Sequence, residues 1–148
     1  MTVLPAVASG LEDLLGELSR TLWKQRGLIE MLHYRLEVQQ LIFASAKTER
    51  LQLAVEEVES AMDDIRRSER TRDTVVKRCA AALELPASAS LADIRAGVED
   101  PWAMILADHQ DALLSLVNEA ERLAALNREF ALRGANDARA LLEEVAGS

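Results

Sequence analysis

Residues 11–43 read LEDLLGELSRTLWKQRGLIEMLHYRLEVQQLIF. Stepping through them by fours and threes in alternation gives Leu11, Leu15, Leu18, Leu22, Gln25, Ile29, Leu32, Leu36, Gln39 and Phe43. An apolar residue at that spacing keeps returning to one side of an α-helix. It is the seam of helices that supercoil against partners. The pattern recurs from Leu51 through Val55, Val58, Met62, Ile65, Glu69, Arg72, Val76, Cys79 and Leu83. It recurs again from Trp102 through Leu106, His109, Leu113, Leu116, Ala120, Leu123, Asn127 and Phe130. Long helical faces with few concave pockets favour binding other polypeptides over catalysis.

Composition agrees. The 148 residues suit one domain, 1–148, with a core of its own. Apolar residues make up 49% but aromatics only 3%, so the core must be leucine, alanine and valine, the chemistry of helix packing. A net charge of −8 disfavours nucleic acid and anionic membranes as partners. Cys79 is the only cysteine, which excludes an intrachain disulfide and reads as a small buried hydrophobe. Residues 1–10 lack the basic and apolar regions of a signal peptide, and no apolar run approaches the ~18 residues of a membrane span. A cytoplasmic protein without membrane insertion is expected.

The fold predicted is all-α: an antiparallel hairpin or bundle of three long coiled-coil-like helices and one short one. The first helix should run over about 9–43, with Ser9 as cap and Glu12 at the capping-box position. The second should span 49–84, ended by Pro86. Ser90 with Asp93 forms a second capping box, starting a short helix over 91–98. Asp100 and Pro101 read as N-cap and first helical residue of a helix over 101–133. Gly134 is its expected kink or stop, leaving 134–148 as a C-terminal segment free to move.

If the first two helices fold back near Lys47, Phe43 faces Leu51, Leu36 faces Val58 and Leu18 faces Val76. Gln25 then meets Glu69 in one polar layer. A buried amide without a partner costs ~1–3 kcal/mol, so matched polar positions penalise slipped registers. Little points to chemistry. Glu30-x-x-His33 has the spacing of half a di-iron site, but the second copy is missing, because Leu106 stands three residues before His109. Arg72 is the one cation on a seam, too few to hold an anionic substrate. No phosphate loop, zinc spacing or nucleophile set is present. A non-enzyme without cofactor or metal is expected. His109 and Asn127 read either as tolerated polar positions at a bundle edge or as part of a face that meets a partner.

Several blocks resemble the FlgN family of flagellar type III export chaperones, in its actinobacterial-like form. They are Leu22-Trp23-Lys24-Gln25-Arg26-Gly27-Leu28-Ile29-Glu30-Met31-Leu32 with Arg35-Leu36-Glu37, and Ala54-Val55-Glu56-Glu57-Val58-Glu59. Further along come Ala81-Ala82-Leu83-Glu84-Leu85, Pro101-Trp102 and Leu123-Ala124-Ala125-Leu126-Asn127-Arg128. The order and spacing of the blocks are more specific than any one of them. Three departures stand out: Ala44–Glu49 lacks the family's turn glycine, Glu84 replaces a glycine between leucines, and Phe130 replaces a second asparagine.

The resemblance implies a chaperone that binds the C-terminal helical segments of hook–filament junction (hook-associated) proteins. It would prevent their premature polymerisation and deliver them to a component of the export gate. A homodimer when free is compatible with it. On this reading the partner-binding residues are Leu116, Leu123, Asn127, Phe130, Leu132, Leu141 and Leu142. The first two stripes can satisfy each other as a hairpin, whereas the third continues beyond the expected core. If these residues only pack the bundle, Phe130→Ala should cost ~3–5 kcal/mol. The alternative from another class is an oligomeric coiled-coil scaffold with no client.

Overall fold

The computed structural model describes residues 5–147, with side chains described for all of these except 5–9, 48, 133–139, 141 and 145–147. Four α-helices follow one another: α1 Pro5–Ser45, α2 Leu51–Ala82, α3 Leu91–Ala96 and α4 Trp102–Gly147. A single 3₁₀ turn, Thr48–Arg50, joins α1 to α2. Among the described residues there is no strand. The fold is an all-α bundle of three long helices and a short one.

Pairings across the helices set their directions. Arg78 reaches Glu17 at 2.9 Å and Arg35 reaches Glu57 at 2.8 Å, so α2 runs antiparallel to α1. Ser19 pairs with His109 and Leu36 with Asn127, so α4 runs parallel to α1. The topology is up, down, up, with α1 packed against both other long helices.

The main core lies at the end holding the start of α1. There Leu15, Leu18, Leu22 and Ile29 of α1 meet Val75, Val76, Cys79 and Ala80 of α2, Leu91 and Ile94 of α3, and Leu106 and Leu113 of α4. Trp102 packs on this cluster and passes over Gly16, where a Cβ would lie 3.9 Å from its ring. Cys79 is fully buried with its Sγ 3.8 Å from the Leu14 carbonyl, and burial pushes its thiol pKa up. A smaller cluster of Leu36, Ala120 and Leu123 lies farther along α1 and α4.

Several expected boundaries move. α1 begins at Pro5, whose ring presets the helical φ at a first position, so Ser9 sits inside the helix instead of capping it. α4 begins at Trp102, after the cis Asp100–Pro101 peptide, and the Pro101 carbonyl accepts from the Ile105 N–H at 3.0 Å. Gly134 does not end it, since one glycine costs a helix only ~1 kcal/mol against alanine, so 134–147 continues α4. Both halves of the Ser90–Asp93 capping box are present, at 3.2 and 2.9 Å.

The polar layer also differs from the sequence expectation. Gln25 is 2% exposed and donates to Ser68 Oγ at 3.3 Å, while Arg72 Nη1 donates to Gln25 Oε1 at 2.9 Å. Glu69 is not its partner and is exposed. Ser68 and Arg72, four residues apart, share the face of α2 that meets Gln25, whereas Glu69 is rotated toward water, where a carboxylate is cheaper to keep.

Two non-glycine residues adopt left-handed φ: Ala46 at 58° and Glu84 at 57°. Both lie just past a helix end. At Glu84 the motif is complete. The Leu85 N–H donates to the Ala80 carbonyl at 2.8 Å and the Glu84 N–H to that of Ala81 at 3.2 Å. A side chain in this conformation costs ~1–2 kcal/mol relative to glycine's freedom, partly offset by glycine's larger unfolded entropy. Glu84→Gly should therefore stabilise the protein by about 1 kcal/mol in urea denaturation. Unchanged or lower stability would contradict this account of the α2 terminus.

Candidate helix-binding groove

Although α2 and α4 both lie on α1, among the described residues no Cα of α2 comes within 8 Å of one of α4. At the core end α3 fills the gap, packing against α2 and α4 with Leu91 and Ile94 buried. Beyond α3 the gap is open. It forms a groove of 740 Å³ with α1 as floor and α2 and α4 as walls.

Ile29, Leu32, Leu36 and Phe43 line the floor, Val55, Val58, Met62 and Ile65 one wall, and Leu113, Val117, Ala120, Ala124 and Ala131 the other. From Gln25 to Phe43 the floor covers eighteen helical steps, roughly 27 Å at ~1.5 Å per residue. Its volume alone would suit a small molecule. Its length and unbroken apolar stripe match the face of an amphipathic helix instead. Met62 and Val117 remain 38% and 37% exposed on facing walls, apolar surface that water covers unfavourably.

Polar groups mark two levels of the floor. At the inner end stands the Gln25–Ser68–Arg72 layer. Burial lowers the Arg72 pKa from the usual arginine range, and the nearby Glu69 carboxylate partly counters this. Fourteen residues farther along α1, Gln39 Oε1 accepts from Asn127 Nδ2 at 2.9 Å, and the same amide donates to the Leu36 carbonyl at 2.9 Å. Asn127 Oδ1 is buried without a partner.

The residues singled out in the sequence fall in different places. Asn127 lines the groove. Leu123 is buried with Leu36 and Ala120, and Leu116 packs on the main core. Phe130 is 38% exposed and stacks on Phe43, with ring centroids 6.5 Å apart. Leu132 and Leu142 are 63% and 67% exposed. Leu141 lies outside the residues whose side chains are described. The structure thus brings Leu123, Asn127 and Phe130 together along the contact of α4 with α1. The groove walls on α2 are not evident from the sequence, because the first two stripes can satisfy each other as a hairpin. Arg72 and Glu69, polar interruptions in the second stripe, were the signal that this face is not wholly buried.

His109 belongs to the α1–α4 contact and is 2% exposed. Arg26 Nη1 lies 3.2 Å from its Nδ1 and Ser19 Oγ 2.9 Å from its Nε2. A guanidinium only donates, so Nδ1 accepts and the neutral ring carries its proton on Nε2, donated to Ser19. Trp23 meets the ring edge-on at 5.0 Å. Burial and the Arg26 charge lower the His109 pKa, with Asp108 opposing. His33 pairs with Glu37 at 2.7 Å. Among the described residues no group of three or more His, Cys, Asp or Glu is placed to hold a metal ion. Nor is any helix long and apolar enough to cross a membrane.

These features define a helical-bundle protein with an elongated apolar groove suited to receiving a helix from another polypeptide. The FlgN protein family model matches residues 14–143, nearly the whole chain. The chain belongs to the FlgN family, a family of flagellar export chaperones. Searches of curated proteins and of solved structures find no match.

Two outcomes follow. The Phe130 ring stays 38% exposed while stacked on Phe43, so Phe130→Ala should cost about 1–3 kcal/mol and leave the protein folded. A loss of ~4 kcal/mol or more in denaturant titration would make the ring part of the core. A lowered folded-state pKa at His109 means that the unfolded chain binds the proton more readily. Stability is then full above the usual histidine pKa of ~6.5 and falls as pH drops from there through the folded-state value. Urea midpoints between pH 8 and 5 should show a steeper loss for wild type than for His109→Gln. Equal slopes would contradict the assignment.

Proposed function

We propose that this chaperone holds one amphipathic helix, from the C-terminal segment of a hook-associated protein, in the groove between α2 and α4. The observation that carries this reading is the groove itself: an apolar floor and two apolar walls arranged as a bundle lacking one helix. Segments that polymerise through amphipathic helices bury the same stripe in the assembled structure. Covering that stripe in the cytoplasm keeps the client monomeric until it is passed to the export gate. The client orders on binding, which lowers net affinity and favours release.

Asn127 contributes from the groove, and the exposed Leu132 and Leu142 extend an apolar surface along α4 for longer clients. Leu116, Leu123 and Phe130 support that surface by holding α4 on α1, and Leu141 belongs to the same sequence stripe. The apolar walls also give a free chaperone a surface for homodimerisation. A client-free scaffold is the competing reading, in which this face serves only self-association.

Calorimetric titration with the C-terminal segments of the organism's own hook-associated proteins distinguishes them. One-to-one binding with a gain of helix in the segment is expected. Met62→Glu and Val117→Glu, at exposed wall positions, should each weaken binding at least tenfold while leaving thermal stability nearly unchanged. Leu53→Glu and Leu114→Glu, exposed outside the groove, should bind like wild type. Absence of binding to every segment by a stable oligomer would overturn the chaperone mechanism in favour of the scaffold.

A further inference from the structure

We propose that Arg72 is a specificity residue of the groove, pairing with a carboxylate on the apolar stripe of the bound helix at the level of Gln25. This assignment rests on the groove being a helix-binding site and adds the chemistry of its occupant. Arg72 occupies a seam position of α2 and lines the inner end of the groove. Its hydrogen bond to Gln25 uses one of the five N–H donors of a guanidinium. Arg66, by contrast, is paired with Asp63 at 2.7 Å.

The surrounding charge points the same way. The groove is lined by Arg66, Arg72 and Arg128 against Glu69 and Glu121, whereas the whole chain has 25 acidic and 17 basic residues. With Arg66 already paired to Asp63, Arg72 and Arg128 balance Glu69 and Glu121, so the groove lacks the acidic excess of the whole chain. Arg72 is already partly removed from water, and a helix laid over it removes more. A cation desolvated without a partner is costly, and a carboxylate in fork geometry offsets that cost. Leucine opposite Arg72 would leave the donors uncovered, and lysine would add repulsion. The selected helix is therefore apolar on one stripe for about five turns and carries Asp or Glu where it passes Gln25. Glu69, exposed at the rim, is the competing counterion.

The test uses the full chain and labelled amphipathic peptides of about 21 residues, long enough for the groove. They share one leucine stripe and differ only by Glu, Gln or Lys at its two terminal positions, one of which lies at the level of Gln25 in either orientation of the peptide. Fluorescence anisotropy should show wild type binding the Glu peptide at least tenfold more tightly than the Lys peptide. Arg72→Gln should level the series and Arg72→Glu should invert it, with circular dichroism showing unchanged helix content. Binding of all three peptides by wild type without discrimination would overturn the assignment and leave the groove reading standing, with Glu69 as the counterion. The same Glu-over-Lys order in all three proteins would overturn it too. Failure of every peptide to bind wild type would remove the groove reading, and this assignment with it.

Discussion

The wedge formed by α3 is the constraint on which the rest of the structure depends. Its six residues are anchored by the Ser90–Asp93 capping box and bury Leu91 and Ile94 between α2 and α4. Two helices packed directly sit ~8–10 Å apart at their axes. With α3 inserted between them, α2 and α4 each rest on α1 without packing on each other. Six residues of helix cover only ~9 Å of a gap that follows helices several times longer. One end of the bundle is therefore a closed core and the rest an open groove. The same chain supplies its own stability and leaves a face for another protein.

Polar residues in the seams fit that division. Within the closed contacts they find partners: His109 between Ser19 and Arg26, and Asn127 across to Leu36 and Gln39. Around the groove they mark levels along an otherwise apolar floor, with Gln25 and Gln39 separated by four turns of α1. A slipped pairing of α1 with α2 would carry Gln25 away from Ser68 and Arg72 and leave a buried amide unpaired. These contacts tie register to polarity, while leucine and valine supply most of the burial.

Much of this was legible in the seven-residue periodicity. The leucines at 15, 18 and 22, with Val76 and Cys79, fall at the heart of the core because helical spacing alone puts them on one side. The short helix could be read from Ser90 and Asp93, since a capping box is a local interaction. The partner of Gln25 could not, because periodicity gives the level of a residue but not its rotation toward water. The open gap was hidden for a related reason. A stripe records that a face is apolar, not which surface covers it, so Val58 and Met62 read as filled by α1 alone. Only the placement of α3 decides that α4 stays away from them. The left-handed backbone at Ala46 and Glu84 was not legible, because neither side chain favours that conformation.

The most direct test of the account is site-specific photocrosslinking from the two groove walls. A photoreactive residue at Met62 or at Val117 is mixed with the C-terminal segment of a hook-associated protein. The account predicts that both wall positions crosslink to one and the same short stretch of that segment, while Leu53 and Leu114 do not. Crosslinks from Leu53 or Leu114 but not from the walls, or from the walls only to a second copy of the chain, would contradict it.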